Sequence, residues 1–202
     1  MSREWKRLAK SVLADPWVIQ NKMAYIRPVG WVLYGLLWER SSARPESRYL
    51  WRIRMPLYKV FDYVYLSFST RHGSGTTVFD PLEPTTALAL RDAADWVMKA
   101  SQTDPIAIET STGDVNYTIM ETRAYGMLLS GNKEAAIEML ARAIVGYSRP
   151  VTDWDIQTLE RMKWMKALIQ AGEIDSAVGQ LKQYRAHLIE SIGIDPGDIA
   201  PV

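Results

Sequence analysis

Basic and aromatic side chains are interleaved along one segment in the first third of the chain. Its basic members are Arg40, Arg44, Arg48, Arg52, Arg54 and Lys59, and its aromatic members are Tyr49, Trp51 and Tyr58. This combination can bind nucleic acid, because cations contact phosphates and rings stack on bases. It can also bind an acidic protein surface, since Arg, Trp and Tyr are common anchors of protein interfaces. A purely structural interpretation is a sheet with a buried aromatic face and a solvated arginine face.

The charge of the whole chain helps to choose among these interpretations. The net charge is only +1, whereas strong nucleic-acid binding usually comes with an excess of positive charge. A nucleic-acid-associated regulator that uses the Arg40–Lys59 segment is therefore kept as an alternative. We predict that the partner is another protein, with an acidic surface or peptide, and that the residues binding it are Arg44, Arg48, Arg52, Arg54 and Tyr58.

The two histidines, His72 and His187, are far apart in the chain. His72 lies beside Arg71 in a glycine- and serine-rich stretch, where an exposed imidazole could act as a general base. A small hydrolase that uses this loop is thus a second alternative, although a surface histidine at the end of a strand is the simpler explanation. Zinc sites combine several His, Cys or carboxylate ligands. Because the chain has no cysteine, we predict no metal site.

The sequence motifs of common enzyme classes are absent. There is no glycine-rich phosphate-binding motif and no Gly-x-Ser-x-Gly. Pairs of carboxylates occur near the expected starts of helices, where they offset the helix dipole; these pairs are Asp80/Glu83, Asp92/Asp95 and Asp153/Asp155. We therefore predict no catalytic residue and no cofactor, which favours a protein that is not an enzyme.

The basic and aromatic segment must be positioned by strands. Segments 48–55 and 63–70 alternate with period two, and Met23 to Arg27 and Trp31 to Glu39 have the composition of strands. Residues 3–14 have a helical pattern. The prediction is an antiparallel sheet of three to four strands with a covering helix, because a small sheet needs one face covered.

Helical periodicity dominates from Thr85 onward. The first helix should run to about Ala100, with Leu88, Ala93, Trp96 and Val97 as its buried stripe. Four more are predicted at 115–130, 132–147, 152–171 and 173–192. The fold class is α+β, with a sheet module over 1–82 and an all-helical module over 83–202. Thirteen Lys and Arg against six Asp and Glu in residues 1–80, and 11 against 17 afterwards, support two modules.

Two stretches 41 residues apart share one pattern of apolar, glycine and alanine positions. The first copy has Leu128, Gly131, Ala136, Ile137 and Leu140, and the second has Ile169, Gly172, Ala177, Val178 and Leu181. Glycine ends one helix, and the alanine that follows is small enough for a neighbouring helix to approach. Residues 115–192 resemble the tetratricopeptide repeat on these positions, with Ala143 and Pro150 near further family positions. The resemblance implies an array of helical hairpins that binds peptides or proteins.

Composition sets the remaining expectations. A hydrophobic content of 48% and a charged content of 23% are ordinary for a soluble globular protein. The longest apolar run, Val29 to Trp38, is too short to span a membrane. We therefore predict a cytoplasmic protein without a membrane partner. The predicted function is a soluble, non-catalytic protein-binding module; one specific form of this hypothesis is a bacterial immunity-type protein that binds and neutralises a toxin.

Overall fold

The computed structural model describes residues 3–41, 44, 47–61, 63–74, 76–103, 117–147 and 149–202. In this part of the chain a five-stranded antiparallel sheet, with strand order β1-β2-β3-β4-β5, is followed by a series of helices. The α+β class is confirmed, with one strand more than the largest predicted number. The strands are β1 (Trp17–Gln20), β2 (Met23–Ile26), β3 (Val32–Arg40), β4 (Arg48–Pro56) and β5 (Thr70–Arg71).

Two of the sheet's strands differ from the sequence prediction. β1 was not predicted; it pairs with β2 through a turn at Asn21, whose φ of 52° is left-handed. The strand predicted over 63–70 is wrong, since only Thr70 of that segment is in a strand. The backbone there turns instead, with the Ser69 amide bonded to the Leu66 carbonyl (2.9 Å). Tyr65 of this segment is buried, and its amide lies 3.4 Å from the sulfur of Met55 on β4.

β2 and β3 approach each other closely at Gly35. A side chain at this position would overlap the carbonyl oxygen of Ala24 on the neighbouring strand. Glycine is therefore required here for contact rather than for backbone freedom, because its own φ is ordinary.

Helices occupy the positions that the sequence indicates. They are α1 (Arg3–Val12), α2 (Pro84–Thr103), α3 (Tyr117–Leu129), α4 (Lys133–Gly146), α5 (Asp153–Gln170) and α6 (Ile174–Ile192). The predicted beginning of α3 at residue 115 lies outside the described residues. The stripe predicted for α2 is only half correct: Ala93 and Val97 are buried, but Leu88 is 64% exposed and Trp96 is 37% exposed.

The turns between the later helices explain why those helices end where they do. Gly131 (φ 80°) and Gly172 (φ 79°) adopt the left-handed conformation that ends α3 and α5. Asn132 then caps α4, its side chain accepting a hydrogen bond from the Ala135 amide (3.2 Å). α3 packs on α4, α4 on α5 and α5 on α6. Ala136 and Ala177 are fully buried, as expected for positions of close helix contact.

Contacts divide the described chain into two compact units. The sheet unit contains α1, the five strands, α2 and the segment Ile194–Val202, and its core includes Trp5, Leu33 and Leu50. The helical unit contains α3 to α6 together with Pro56–Tyr63. The module boundary predicted after residue 82 stays a prediction.

The carboxy-terminal segment completes the sheet unit. The Val29 amide bonds to the Asp198 carbonyl (2.7 Å), and the Ala200 amide bonds to the Val29 carbonyl (2.9 Å). The Tyr25 hydroxyl donates to the Asp198 carboxylate (2.8 Å), while Arg27 lies 3.5 Å from that carboxylate. Burial, followed by the bond to Asp198, raises the pKa of Tyr25 well above its ordinary value.

Candidate functional site

The five residues predicted to bind a partner differ widely in exposure. Arg44 is exposed in the loop before β4, and Arg48, Arg52 and Arg54 on β4 are half-buried. Tyr58 is fully buried, so its side chain offers no surface to another molecule. The arginines alone remain candidates for contact with a partner.

The aromatic residues of β4 organise an arginine that the sequence analysis did not select. The Arg71 guanidinium lies 4.0 Å from the centre of the Tyr49 ring and 4.8 Å from that of Trp51. Glu39 accepts hydrogen bonds from the Trp51 indole (2.8 Å) and from Arg71 (3.4 Å). We call Glu39, Tyr49, Trp51 and Arg71 the Arg71 stack. A cation on an aromatic face contributes about 0.5–1 kcal/mol at exposed sites, so the stack holds Arg71 in place.

A groove of about 430 Å³ shares Glu39 with this stack. We call it the basic groove; its lining residues are Lys22, Leu37, Trp38, Glu39, Arg40, Arg48, Val64 and Leu66. It has three cations and one carboxylate, and that carboxylate already accepts bonds from Trp51 and Arg71. Positive charge is therefore in excess among the described residues that line the groove, which favours an anionic ligand.

A larger depression of about 580 Å³ is lined only by side chains of α1. Its residues are Arg3, Glu4, Lys6, Arg7 and Lys10. A surface formed by one helix does not enclose a ligand, so we do not regard it as a site. It does add four cations to the sheet unit.

His72 lies on the side of the sheet that faces α2. The ring is largely buried beside Phe79 (5.7 Å between ring centres), and its Nε2 is 3.8 Å from the Asp92 carboxylate. Burial lowers the pKa of His72 and the charge of Arg52 lowers it further, while Asp92 opposes both effects. No hydroxyl among the described residues is hydrogen-bonded to the ring; the hydroxyls of Ser74 and Thr77 contact each other instead (2.8 Å). This geometry does not support a hydrolase that uses His72 as its general base.

The helical unit contains a charged cluster that the sequence analysis missed. Glu121 on α3 is fully buried. Its carboxylate accepts two hydrogen bonds from Arg161 (2.7 and 3.2 Å) and one from the Tyr125 hydroxyl (3.0 Å), and it lies 3.7 Å from the Lys59 ammonium. We call Lys59, Glu121, Tyr125 and Arg161 the Glu121 cluster.

Lys59 is the least favourable member of this cluster. Its ammonium donates to the Thr118 carbonyl (2.6 Å), yet burial lowers its pKa to about 8 despite the opposing effect of Glu121. Two cations thus share one carboxylate away from water. The signal that could have revealed the cluster is the mostly apolar character of α3, in which an isolated glutamate needs a buried partner.

Neither a group of metal ligands nor similarity to a known protein indicates what this protein does. No group of three or more potential metal ligands occurs among the residues described, and no helix described is long and apolar enough to cross a bilayer. No family model matches the chain, and comparison with the curated proteins and with the solved structures also yields no match. The function must therefore be inferred from the geometry of the sites alone.

Proposed function

We propose that the protein is a non-catalytic binding module that takes up an acidic segment of another protein in the basic groove. The observation that carries this proposal is the charge of the groove: Lys22, Arg40 and Arg48 face one carboxylate, and that carboxylate is already bonded to the Arg71 stack. An acidic side chain in the groove would be attracted by the excess of positive charge among its described lining residues.

The mixed lining of the groove favours a peptide over nucleic acid. Leu37, Val64 and Leu66 provide apolar surface between the cations, which suits a segment that alternates acidic and apolar side chains. High-affinity nucleic-acid binding relies on about 6–10 phosphate contacts. Three cations in one small groove are few for that purpose.

The helical unit supports the same class of function more weakly. We propose that α3 to α6 form a tetratricopeptide-like array; α5 exposes Ile156 (48%) and Trp164 (46%), and exposed apolar side chains of this size are common at protein interfaces. The more specific hypothesis, that the partner is a toxin which the protein neutralises, stays a prediction.

The test uses a fluorescent peptide of alternating Glu and Leu, with a Gln-for-Glu peptide of the same length as its reference. Fluorescence anisotropy at physiological salt should show binding of the acidic peptide only. The double variant Arg40→Gln/Arg48→Gln should weaken it by about tenfold, because each partly exposed ion pair contributes roughly 0.5–1 kcal/mol.

The matched control is Lys6→Gln/Lys10→Gln on α1, which removes the same charge outside the groove. Its affinity should stay near that of the unchanged protein. Equal losses in both double variants would show that only net charge matters, and would reject the groove as a site. Tighter binding of a duplex oligonucleotide, with steep salt dependence, would favour the nucleic-acid alternative.

A further inference from the structure

Two of the buried nitrogens that have no hydrogen-bond partner in the described part of the protein lie close together on one side of the sheet. They are Nε of Arg52 and Nδ1 of His72. Buried polar atoms in native proteins nearly always have a partner, and each exception requires an explanation. Two exceptions in neighbouring side chains suggest a common cause.

The sheet brings these two side chains together. Arg52 on β4 is paired with Thr70 on β5, and the His72 amide bonds to the Leu50 carbonyl (2.7 Å). Arg52 and His72 therefore occupy diagonal positions on one face, roughly 7–8 Å apart at their backbones. Over this face, Asp92 and Trp96 project from successive turns of α2. We call these four residues the Arg52 cluster.

The charges of the Arg52 cluster are poorly balanced. The Arg52 guanidinium lies 4.5 Å from the centre of the Trp96 ring, so one of its faces is covered by an aromatic surface and not by a carboxylate. Asp92 is the nearest acid, but its side chain is 78% exposed and its distance of 3.8 Å from His72 is too long for a hydrogen bond. Arg52 and His72 thus provide several hydrogen-bond donors beside one carboxylate, which is largely exposed and is not hydrogen-bonded to His72.

We propose that Arg52 and His72 bind a single oxyanion, a carboxylate or a phosphate, against the edge of Trp96. Arg52 donates through its guanidinium, and the protonated imidazole of His72 donates through Nδ1. Both donors would then be satisfied, and charge-assisted bonds of this kind are stronger than neutral ones. The site shares no residue with the basic groove and does not depend on the protein-binding proposal.

Binding at this site takes up a proton. The pKa of His72 is lowered by burial and by Arg52 and raised by Asp92, so the free imidazole is mostly neutral at neutral pH. A bound anion adds a further negative charge and favours the imidazolium. Above the pKa of His72, the affinity should fall by about tenfold per pH unit, because each binding event requires one proton.

The histidine content of the chain makes this testable on the unmodified protein. There are two histidines, and His187 on α6 is exposed, so NMR of the imidazole C–H groups gives one reporter signal and one internal reference. Sodium phosphate and sodium acetate are titrated separately at about pH 6, with sodium chloride keeping the ionic strength constant. The signal of His72 should shift saturably and its pKa should rise, while the signal of His187 should not follow.

The two anions distinguish the source of the oxyanion. Saturation at lower phosphate than acetate assigns the site to phosphoryl groups, and the reverse assigns it to carboxylates. Absence of a saturable shift with either anion, or equal shifts of both histidines, overturns the proposal.

Three variants test the assignment of residues. Arg52→Gln should weaken binding by at least about tenfold, and Asp92→Asn should move the fall in affinity to lower pH, because Asp92 raises the pKa of His72. Arg142→Gln, an exposed arginine on α4, is the matched control and should change nothing. Unchanged binding in Arg52→Gln, or an unchanged pH dependence of binding in Asp92→Asn, contradicts the proposed geometry. If Arg52→Gln does not fold, Asp92→Asn and the unmodified protein still test the proposal.

Discussion

The two units use the same types of charged side chain in opposite ways. In the Glu121 cluster a fully buried carboxylate receives hydrogen bonds from Arg161 and Tyr125 and lies beside Lys59. In the Arg52 cluster the acid is exposed, and the arginine and histidine each have a buried nitrogen without a protein partner. The members of the first cluster satisfy one another, whereas those two nitrogens of the second have no hydrogen-bond partner among the described residues.

This difference separates charges that hold a fold from charges that can bind a ligand. A buried ion cluster costs desolvation energy and resists the loss of any one member. A partly exposed cluster contributes little to stability, and its donors remain available. The presence of charged residues alone therefore does not indicate a ligand site in this protein. What distinguishes the two clusters is whether their charged groups are hydrogen-bonded to one another.

The largest expected effect is that of Glu121→Gln. This change leaves Lys59 and Arg161 buried without a counter-charge, so the free energy of unfolding should fall by about 3–5 kcal/mol. Urea denaturation followed by circular dichroism measures it. Glu160→Gln removes one member of an exposed pair with Lys163 and should cost less than about 1 kcal/mol. Similar losses of stability in the two variants would contradict the proposed difference between the buried Glu121 cluster and an exposed ion pair.

The next effect is a dependence of stability on alkaline pH that originates at Lys59. Its pKa is about 8 in the folded protein and about 10.4 in an unfolded chain. Between these values the unfolded state binds more protons, so the free energy of unfolding rises with pH. From pH 7 to about pH 9.5 this contribution amounts to roughly 2 kcal/mol. The relevant comparison is urea denaturation across this range for the unmodified protein and for Lys59→Met.

Lys59→Met retains the length of the side chain and removes its charge. The variant should lack the rise between pH 8 and about pH 9.5, because the ammonium that loses its proton there is absent. A rise of equal size in the variant would mean that Lys59 is not its source.

The smallest expected effect is that of Arg52→Gln on stability. Arg52 has a cation–π contact with Trp96 and is half-buried, so the free energy of unfolding should change by less than about 1 kcal/mol. Thermal unfolding measures this against Arg142→Gln. A loss as large as that of Glu121→Gln would show that the Arg52 cluster is structural, and would remove the contrast between the units.

The helical unit was predictable because its signals are local. Gly131 and Gly172 need left-handed backbone, and the alanines that follow them fill positions where helices meet. Both requirements can be inferred from a few neighbouring residues. β3 and β4 were predicted for a similar reason, since the composition of β3 and the period-two alternation of β4 are also local patterns.

The wrong predictions concern features that depend on contacts between residues far apart in the sequence. β1 has four residues and a turn formed by Asn21 and Lys22 in place of Asn-Gly, so its pairing with β2 leaves little local trace. The alternation in 63–70 does not reflect strand pairing: the segment turns at Leu66–Ser69, and Tyr65 contacts Met55 of β4. The structural interpretation of a buried aromatic face and a solvated arginine face does not describe β4: Leu50, on the arginine side, is buried, and Trp51, on the aromatic side, is half-buried beside Arg71.

The candidate sites were predictable only as regions. The arginine segment led to the sheet and to part of the basic groove, but Arg71, Lys22 and Glu39 join it through contacts between separate strands. Glu121 and Arg161 are 40 residues apart, and nothing local indicates that they meet.

The membership of the segment Pro56–Tyr63 has a practical consequence for anyone who divides this protein for expression. It belongs to the helical unit although α1 to β4 precede it and β5 and α2 follow it. A fragment that starts after residue 82 would lack Lys59 and carry α2 without its sheet, and the complementary fragment would lack the tail that bonds to Val29. Neither half would have its complete interior, so co-expression of two pieces should restore what each piece alone lacks.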